Sequence, residues 1–176
     1  MKSNKLEQKG FTLIEVLIYA ILLAVISLVV LLFVNQLLGV NETTRRTRES
    51  LDNARRSLET ISQEIRHADS IYTPTSVFGT NPGQLSLASV RDLPDDEDLT
   101  FVDFYVDEGN LYLKREGQSD QLLTSEKVKV TNLTFINNNT GGADAIRISI
   151  TVEYKDPITG PKNAVTLTST AVLRTY

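Results

Sequence analysis

Apolar residues fill one unbroken block near the amino terminus and then thin into a periodic pattern. The block runs from Phe11 to Val34, "FTLIEVLIYAILLAVISLVVLLFV", and Glu15 is its only strongly polar member. Its 24 positions correspond to about 36 Å of helix, enough to cross a hydrocarbon core of ~30 Å with some tilt. A cleaved secretory signal would have a shorter apolar core closed by small residues. A buried globular helix would not be apolar on every face. Residues 11–34 are therefore expected to be a membrane-spanning helix.

Helical periodicity returns after Val34. Leu51, Ala54, Leu58, Ile61, Ile65 and Ala68 recur at steps of three and four, forming one apolar stripe. Arg55, Arg56, Glu59, Glu64 and Arg66 fall off it. The stripe is too short for a coiled coil and predicts a helix laid against a sheet. Gly39, Thr43 and Thr44 lie between block and stripe. Either local softening or an uninterrupted helix fits them.

Pro74, Gly79, Pro82 and Gly83 then mark a loop, and the rest reads as β. "QLSLASV" is a short strand. "DLTFVDFYVDEGNLYLKREG" is two runs about a turn at Asp107–Asn110, with aromatic weight on both faces of the first. "DAIRISITVEYKD" puts Ile146, Ile148, Ile150, Val152 and Tyr154 on one face. With "NAVTLTSTAVLRTY" it reads as a closing hairpin. The expected fold is α+β. Residues 11–70 form the N-terminal helix, and residues 71–176 form a β-rich head with an antiparallel sheet.

Composition removes several chemistries. The chain has no cysteine and one histidine, His67, so thiol catalysis, thiolate metal sites and multi-His zinc sites have no material. The formal net charge is −4, which gives no global field for nucleic acid. Arg45, Arg46, Arg48, Arg55, Arg56 and Arg66 make one basic stretch of helix, suited to lipid headgroups or to acidic residues of neighbouring subunits.

The remaining constellations favour plain readings. Asp92, Asp95, Asp96, Glu97 and Asp98 offer oxygens to calcium, but lack the glycine and glutamate offsets of an EF-hand. A solvated acidic loop is expected. Asn137–Gly142 reads as a connecting loop, without the lysine of a phosphate loop. His67 near the end of the helix suits its dipole. Asp103 and Asp107 share a strand face without a pocket signal. The sequons at Asn41, Asn132 and Asn138 receive no role. No catalytic residue, metal ligand or cofactor is assigned.

One stretch carries a family resemblance. "KGFTLIEVLIYA" combines a short basic leader (Lys2, Lys5, Lys9), the Gly10–Phe11 junction, Glu15 five residues after the glycine, and the long apolar run. It resembles the prepilin signal of type IV pilins and type II secretion pseudopilins. The resemblance implies a pilin-like fold and removal of residues 1–10 between Gly10 and Phe11 by a prepilin peptidase. It also implies N-methylation of Phe11, and a Glu15 carboxylate that meets the Phe11 amine of a neighbouring subunit.

The charges flanking the apolar run nearly balance and leave orientation open. The resemblance implies a cytoplasmic leader and a head outside the inner membrane, then in an extracytoplasmic filament. The run lacks the proline many such helices contain, so no proline kink is expected. Past the signal, "LDNARRSLETISQEIRHADSI" and "VDFYVDEGNLYLKREG" resemble the J-class (PilW-like) minor pseudopilins, which implies a place at or near the filament tip. The absence of cysteine departs from many major pilins, and the presence of Glu15 departs from the K-type tip subunit.

The implied partners are the prepilin peptidase, other major and minor subunits, the inner-membrane assembly platform and membrane lipid. Nucleic acid is not an expected partner. The competing reading is a pilus-associated adhesin or DNA-uptake subunit with the same signal. An exposed basic or aromatic patch on the sheet would favour it, and the sequence reveals none. An enzyme ranks last.

Overall fold

A computed structural model describes residues 11–90, 98–139, 144–155 and 164–173, with the side chains of 37–41 and Asn139 excepted. The arrangement is α+β: a long N-terminal helix, apolar in its first half, followed by antiparallel sheets. The chain divides into two compact units, residues 1–42 and residues 43–176.

Helix α1 spans Leu13–His67 and is helical at Gly39, Thr43 and Thr44. In the first unit, Leu13–Gln36 has a mean hydropathy of 3.2, and none of this span is buried within the chain. Its leucines, isoleucines and valines point outward. In water such a surface is strongly unfavourable, whereas lipid or a packed filament core removes the cost.

In the second unit, Ala54, Leu58, Ile61, Ile65 and Ala68 are buried as the stripe anticipates, and Leu51 is half-buried. A row the stripe does not include widens this face: Ser50, Asn53 and Ser57 are also buried.

Among the described residues eight strands follow: β1 Ser70–Ile71, β2 Leu85–Ser89, β3 Thr100–Asp107, β4 Asn110–Arg115, β5 Gln121–Leu122, β6 Val128–Asn139, β7 Asp144–Tyr154 and β8 Ala164–Val172. They make two antiparallel sheets rather than the one expected, in the orders β1-β2-β3-β4-β5 and β6-β7-β8. The β3–β4 turn falls at Asp107–Asn110, with positive φ at both Glu108 (48°) and Gly109 (79°). That matches the mirror-image turn whose twist suits a tight hairpin. A side chain at 109 would also strike Lys129 Cγ at 2.7 Å.

β6 corrects the reading of a connecting loop at Asn137, Asn138 and Asn139, which pair with Ile146, Ala145 and Asp144, while residues 140–142 lie outside the described residues. A register shift lies between Val130 and Asn132, so inward positions change parity from Val128 and Val130 to Leu133 and Phe135. The outer edge of β6 is covered. The Gly79 and Gly83 amides donate to the carbonyls of Phe135 and Leu133 at 2.9 and 2.8 Å. Asn81 accepts the Leu133 amide and donates to the Thr131 carbonyl. Edge groups that would otherwise recruit another strand are thereby satisfied.

One core joins the elements. The helical face meets Leu85, Leu87, Val102 and Phe104 of the first sheet and Leu133, Phe135, Ile146 and Ile148 of the second, all buried. The Arg115 guanidinium ties β4 to α1 by a 2.6 Å ion pair with Glu64. The Arg46 guanidinium lies 5.8 Å from the centre of the Tyr154 ring.

Candidate functional site

Thr12 starts α1. Its carbonyl accepts the amides of Glu15 and Val16 at 3.1 and 3.2 Å, and its hydroxyl oxygen lies 3.4 Å from the Glu15 amide nitrogen. Thr12 and Glu15 have the spacing of a capping box, in which a hydroxyl and a carboxylate satisfy the free amides of the first turn. A carboxylate in that turn also faces the positive end of the helix dipole. The charge inside the apolar run therefore has a local electrostatic reason, independent of any partner.

Glu15 and Tyr19, four apart in α1, share a helix face, and Phe11 lies two residues before the helix. The Tyr19 hydroxyl donates to Glu15 Oε1 at 3.3 Å. The Phe11 and Tyr19 rings meet edge to face, 6.5 Å between centres. Phe11 remains 74% exposed and Glu15 half-buried. This end of the helix thus presents a carboxylate held by the Tyr19 hydroxyl, four residues from the residue expected to become the new terminus. Gly10 and the leader lie outside the described residues. Tyr19 was not among the expected site residues, although it lies one turn beyond Glu15.

The other candidates are dispersed. His67 and Arg66 are exposed in the last turn of α1, where positive charge suits the dipole. Asp103 and Asp107 lie on the outer face of β3, opposite Lys114 and Asn110. Of the acidic stretch 92–98, only Asp98 is described. Among the described residues no group of three or more His, Cys, Asp or Glu side chains is placed to hold a metal ion.

The outer face of the first sheet is a feature the sequence reading did not single out. Tyr105 and Tyr112, cross-strand partners, stack with ring centres 5.6 Å apart. Tyr72 lies against Phe101 at 4.7 Å. The Tyr105 hydroxyl donates to Asp120 Oδ2 at 2.7 Å. That bond, then burial and the nearby carboxylates of Asp120 and Asp107, push the phenol up to about 12. The signal was visible in the alternation of Phe101, Asp103, Tyr105 and Asp107 against Tyr112, Lys114 and Glu116.

Residues 6–31 match the family model of the prokaryotic N-terminal methylation motif. No curated protein and no solved structure matches the chain. The amino terminus is thus a prepilin signal of the type IV pilin kind, on an apolar helix consistent with membrane anchoring. The match supports a processed subunit of the type IV pilin or pseudopilin type. It implies processing by a prepilin peptidase and assembly with other pilins, and points to a structural rather than a catalytic role.

Proposed function

We propose that the chain is a minor pilin or pseudopilin of the J-class kind, assembled at or near the tip of a type IV pilus or a type II secretion pseudopilus. The observation that carries this reading is the prepilin signal at residues 6–31, leading into an apolar helix whose large apolar side chains are exposed. A helix of that kind needs a lipid or protein environment, and a filament core supplies one after extraction from the membrane.

On this reading the peptidase cuts between Gly10 and Phe11, and the new Phe11 amine is methylated. Cleavage creates an ammonium at the end of an apolar helix. A charge left alone in a packed core costs several kcal/mol, and an opposite charge offsets most of that. The Glu15 carboxylate, half-buried beside Tyr19, is the acceptor for the Phe11 ammonium of a neighbouring subunit. The pair then acts mainly on register, because a subunit out of register leaves both charges unpaired. The head lies outside the cytoplasmic membrane, and the assembly platform and other subunits are its partners.

Intact mass of the native chain tests this reading, with loss of residues 1–10 and one added methyl group expected. Gly10→Val should leave the leader attached, and a chain starting at Phe11 in that variant would defeat the cleavage assignment. Glu15→Val should be cleaved normally yet enter filaments poorly beside wild type. Equal incorporation would remove the pairing argument.

A second reading, a pilus-associated adhesin carrying the same signal, is favoured by one observation: the aromatic outer face of the five-stranded sheet.

A further inference from the structure

β3 presents Phe101, Asp103, Tyr105 and Asp107 on its outer side, and β4 answers with Tyr112 and Lys114 opposite Tyr105 and Asp103. Glu116 follows β4, and its amide donates to the Phe101 carbonyl at 3.0 Å. The two aromatic pairs are separated along β3 by four residues, about 13 Å at the usual strand rise. Beside the first pair lies a hollow of about 310 Å³, lined by Tyr72, Thr75, Phe101, Asp103, Lys114 and Glu116, which reaches Asp103 and Lys114, the cross-strand pair two residues before Tyr105 and Tyr112.

The rings are held in place. The Tyr72 amide donates to the Ser86 carbonyl at 2.9 Å. The Ser76 hydroxyl donates to the Tyr72 carbonyl at 2.8 Å and accepts the Ser86 amide at 3.0 Å, pinning this loop to β2. Tyr105 is braced by Asp120. A surface of rings fixed in advance loses little entropy on binding.

Among the described residues named here, four carboxylates (Asp103, Asp107, Glu116 and Asp120) stand beside one lysine, Lys114. That balance repels a phosphate backbone, although stacked rings on a sheet would otherwise suit single-stranded nucleic acid. A flat protein partner would have to cover several carboxylates and leave some without hydrogen bonds, which is costly. A sugar chain meets both demands. Its C–H faces lie on the rings, and its hydroxyls donate to carboxylates while accepting from Lys114 and Thr75. The separation of the aromatic pairs exceeds one pyranose ring.

We propose that the outer face of the five-stranded sheet, from Tyr72 and Phe101 to Tyr105 and Tyr112, is a binding site for an oligosaccharide free of acidic groups. This goes beyond a filament-subunit role and gives the head a surface-recognition function.

The test uses the full chain in phospholipid nanodiscs. Saturation-transfer NMR would be recorded against cellohexaose and chitohexaose, with dextran sulfate and oligothymidylate as polyanion probes. Saturable transfer from at least one of the neutral or amide-bearing sugars is expected, with none from the polyanions. Tyr112→Ala and Tyr72→Ala, each checked for an unchanged circular dichroism spectrum, should weaken binding roughly tenfold. Val172→Ala, on the second sheet, should leave it unchanged. The proposal is overturned by wild-type protein that shows no saturable transfer from either sugar. It is equally overturned by polyanion binding of equal strength, or by folded ring variants that bind like wild type.

Discussion

Asn53, only 3% exposed on α1, accepts the Ser125 amide at 2.9 Å through Oδ1, joining residues 72 positions apart. Its Nδ2 donates to the Glu49 carbonyl at 2.8 Å, and the Ser125 hydroxyl donates to Glu49 Oε1 at 3.3 Å. The link fixes the segment between β5 and β6 against the helix. Asn53→Ala would strand the Ser125 amide, at a cost of about 1–3 kcal/mol. Urea unfolding of the full chain in detergent micelles checks this, and a change under a few tenths of a kcal/mol would remove the link from the stabilising set.

Ile61 is fully buried where the helical stripe meets both sheets. Ile61→Ala removes packed volume that neighbouring strands cannot fully recover, with an expected cost of about 2–5 kcal/mol. Ile61→Val should cost about 0.5–1.5 kcal/mol. Chemical unfolding of both variants should show this order, since cavity size sets the penalty.

The Arg115–Glu64 pair joins β4 to α1 at 2.6 Å, with the side chains 24% and 21% exposed. Partial burial places it above a free surface pair, so a double-mutant cycle should yield about 1 kcal/mol of coupling at low salt. Raising the salt to 1 M should reduce the coupling. Salt-independent coupling would point to packing of the arginine stem instead of charge.

Much of this architecture was legible in the chain. Ile61 and Ile65 belong to a stripe that only a helix with one buried face requires. Ile146, Ile148 and Ile150 alternate without interruption, which only a half-buried strand requires. β6 was not legible, because the register shift at Thr131 breaks its alternation in the middle and its end reads "NNN", a turn-like composition. The division into two sheets was hidden for another reason: alternation tells which side of a strand is buried, not which strand lies beside it. Asn53 and Ser57 were passed over because polar side chains are ordinarily exposed, whereas here both are buried. Around the signal, Gly10, Phe11 and Glu15 drew attention through a conspicuous anomaly, one carboxylate in 24 residues. Tyr19 merged with the apolar run, because its hydroxyl matters only once helical spacing sets it against Glu15.

Tyr105 predicts a pH effect of definite sign. Its phenol is pushed from 10.0 up to about 12, chiefly by its hydrogen bond to Asp120. A raised value in the folded state means that folding favours the neutral phenol. The stabilising contribution is therefore complete below pH 10 and is lost as pH climbs toward about 12. Subtracting the tyrosinate absorbance titration of Tyr105→Phe from that of wild type isolates this residue. Asp120→Asn should move its titration back toward the ordinary phenol range, while an unmoved curve would assign the shift to burial.

Tyr19 offers a finer probe of the amino-terminal carboxylate than removal of Glu15 itself. Its hydroxyl donates to Glu15 Oε1, while its ring contacts Phe11. Tyr19→Phe deletes the first interaction and keeps the second. A single hydrogen bond to a carboxylate is worth about 1.5–3 kcal/mol when water is excluded, and less at 3.3 Å, beyond the usual range for hydroxyl donors. Cleavage should proceed normally. Entry into filaments beside wild type, measured in sheared fractions, should fall by a few-fold, well short of the loss in Glu15→Val. A hydroxyl that orients the carboxylate predicts this intermediate result. Unchanged entry would mean that Glu15 finds its geometry without Tyr19. A loss equal to that of Glu15→Val would shift the principal role in subunit contact to the tyrosine.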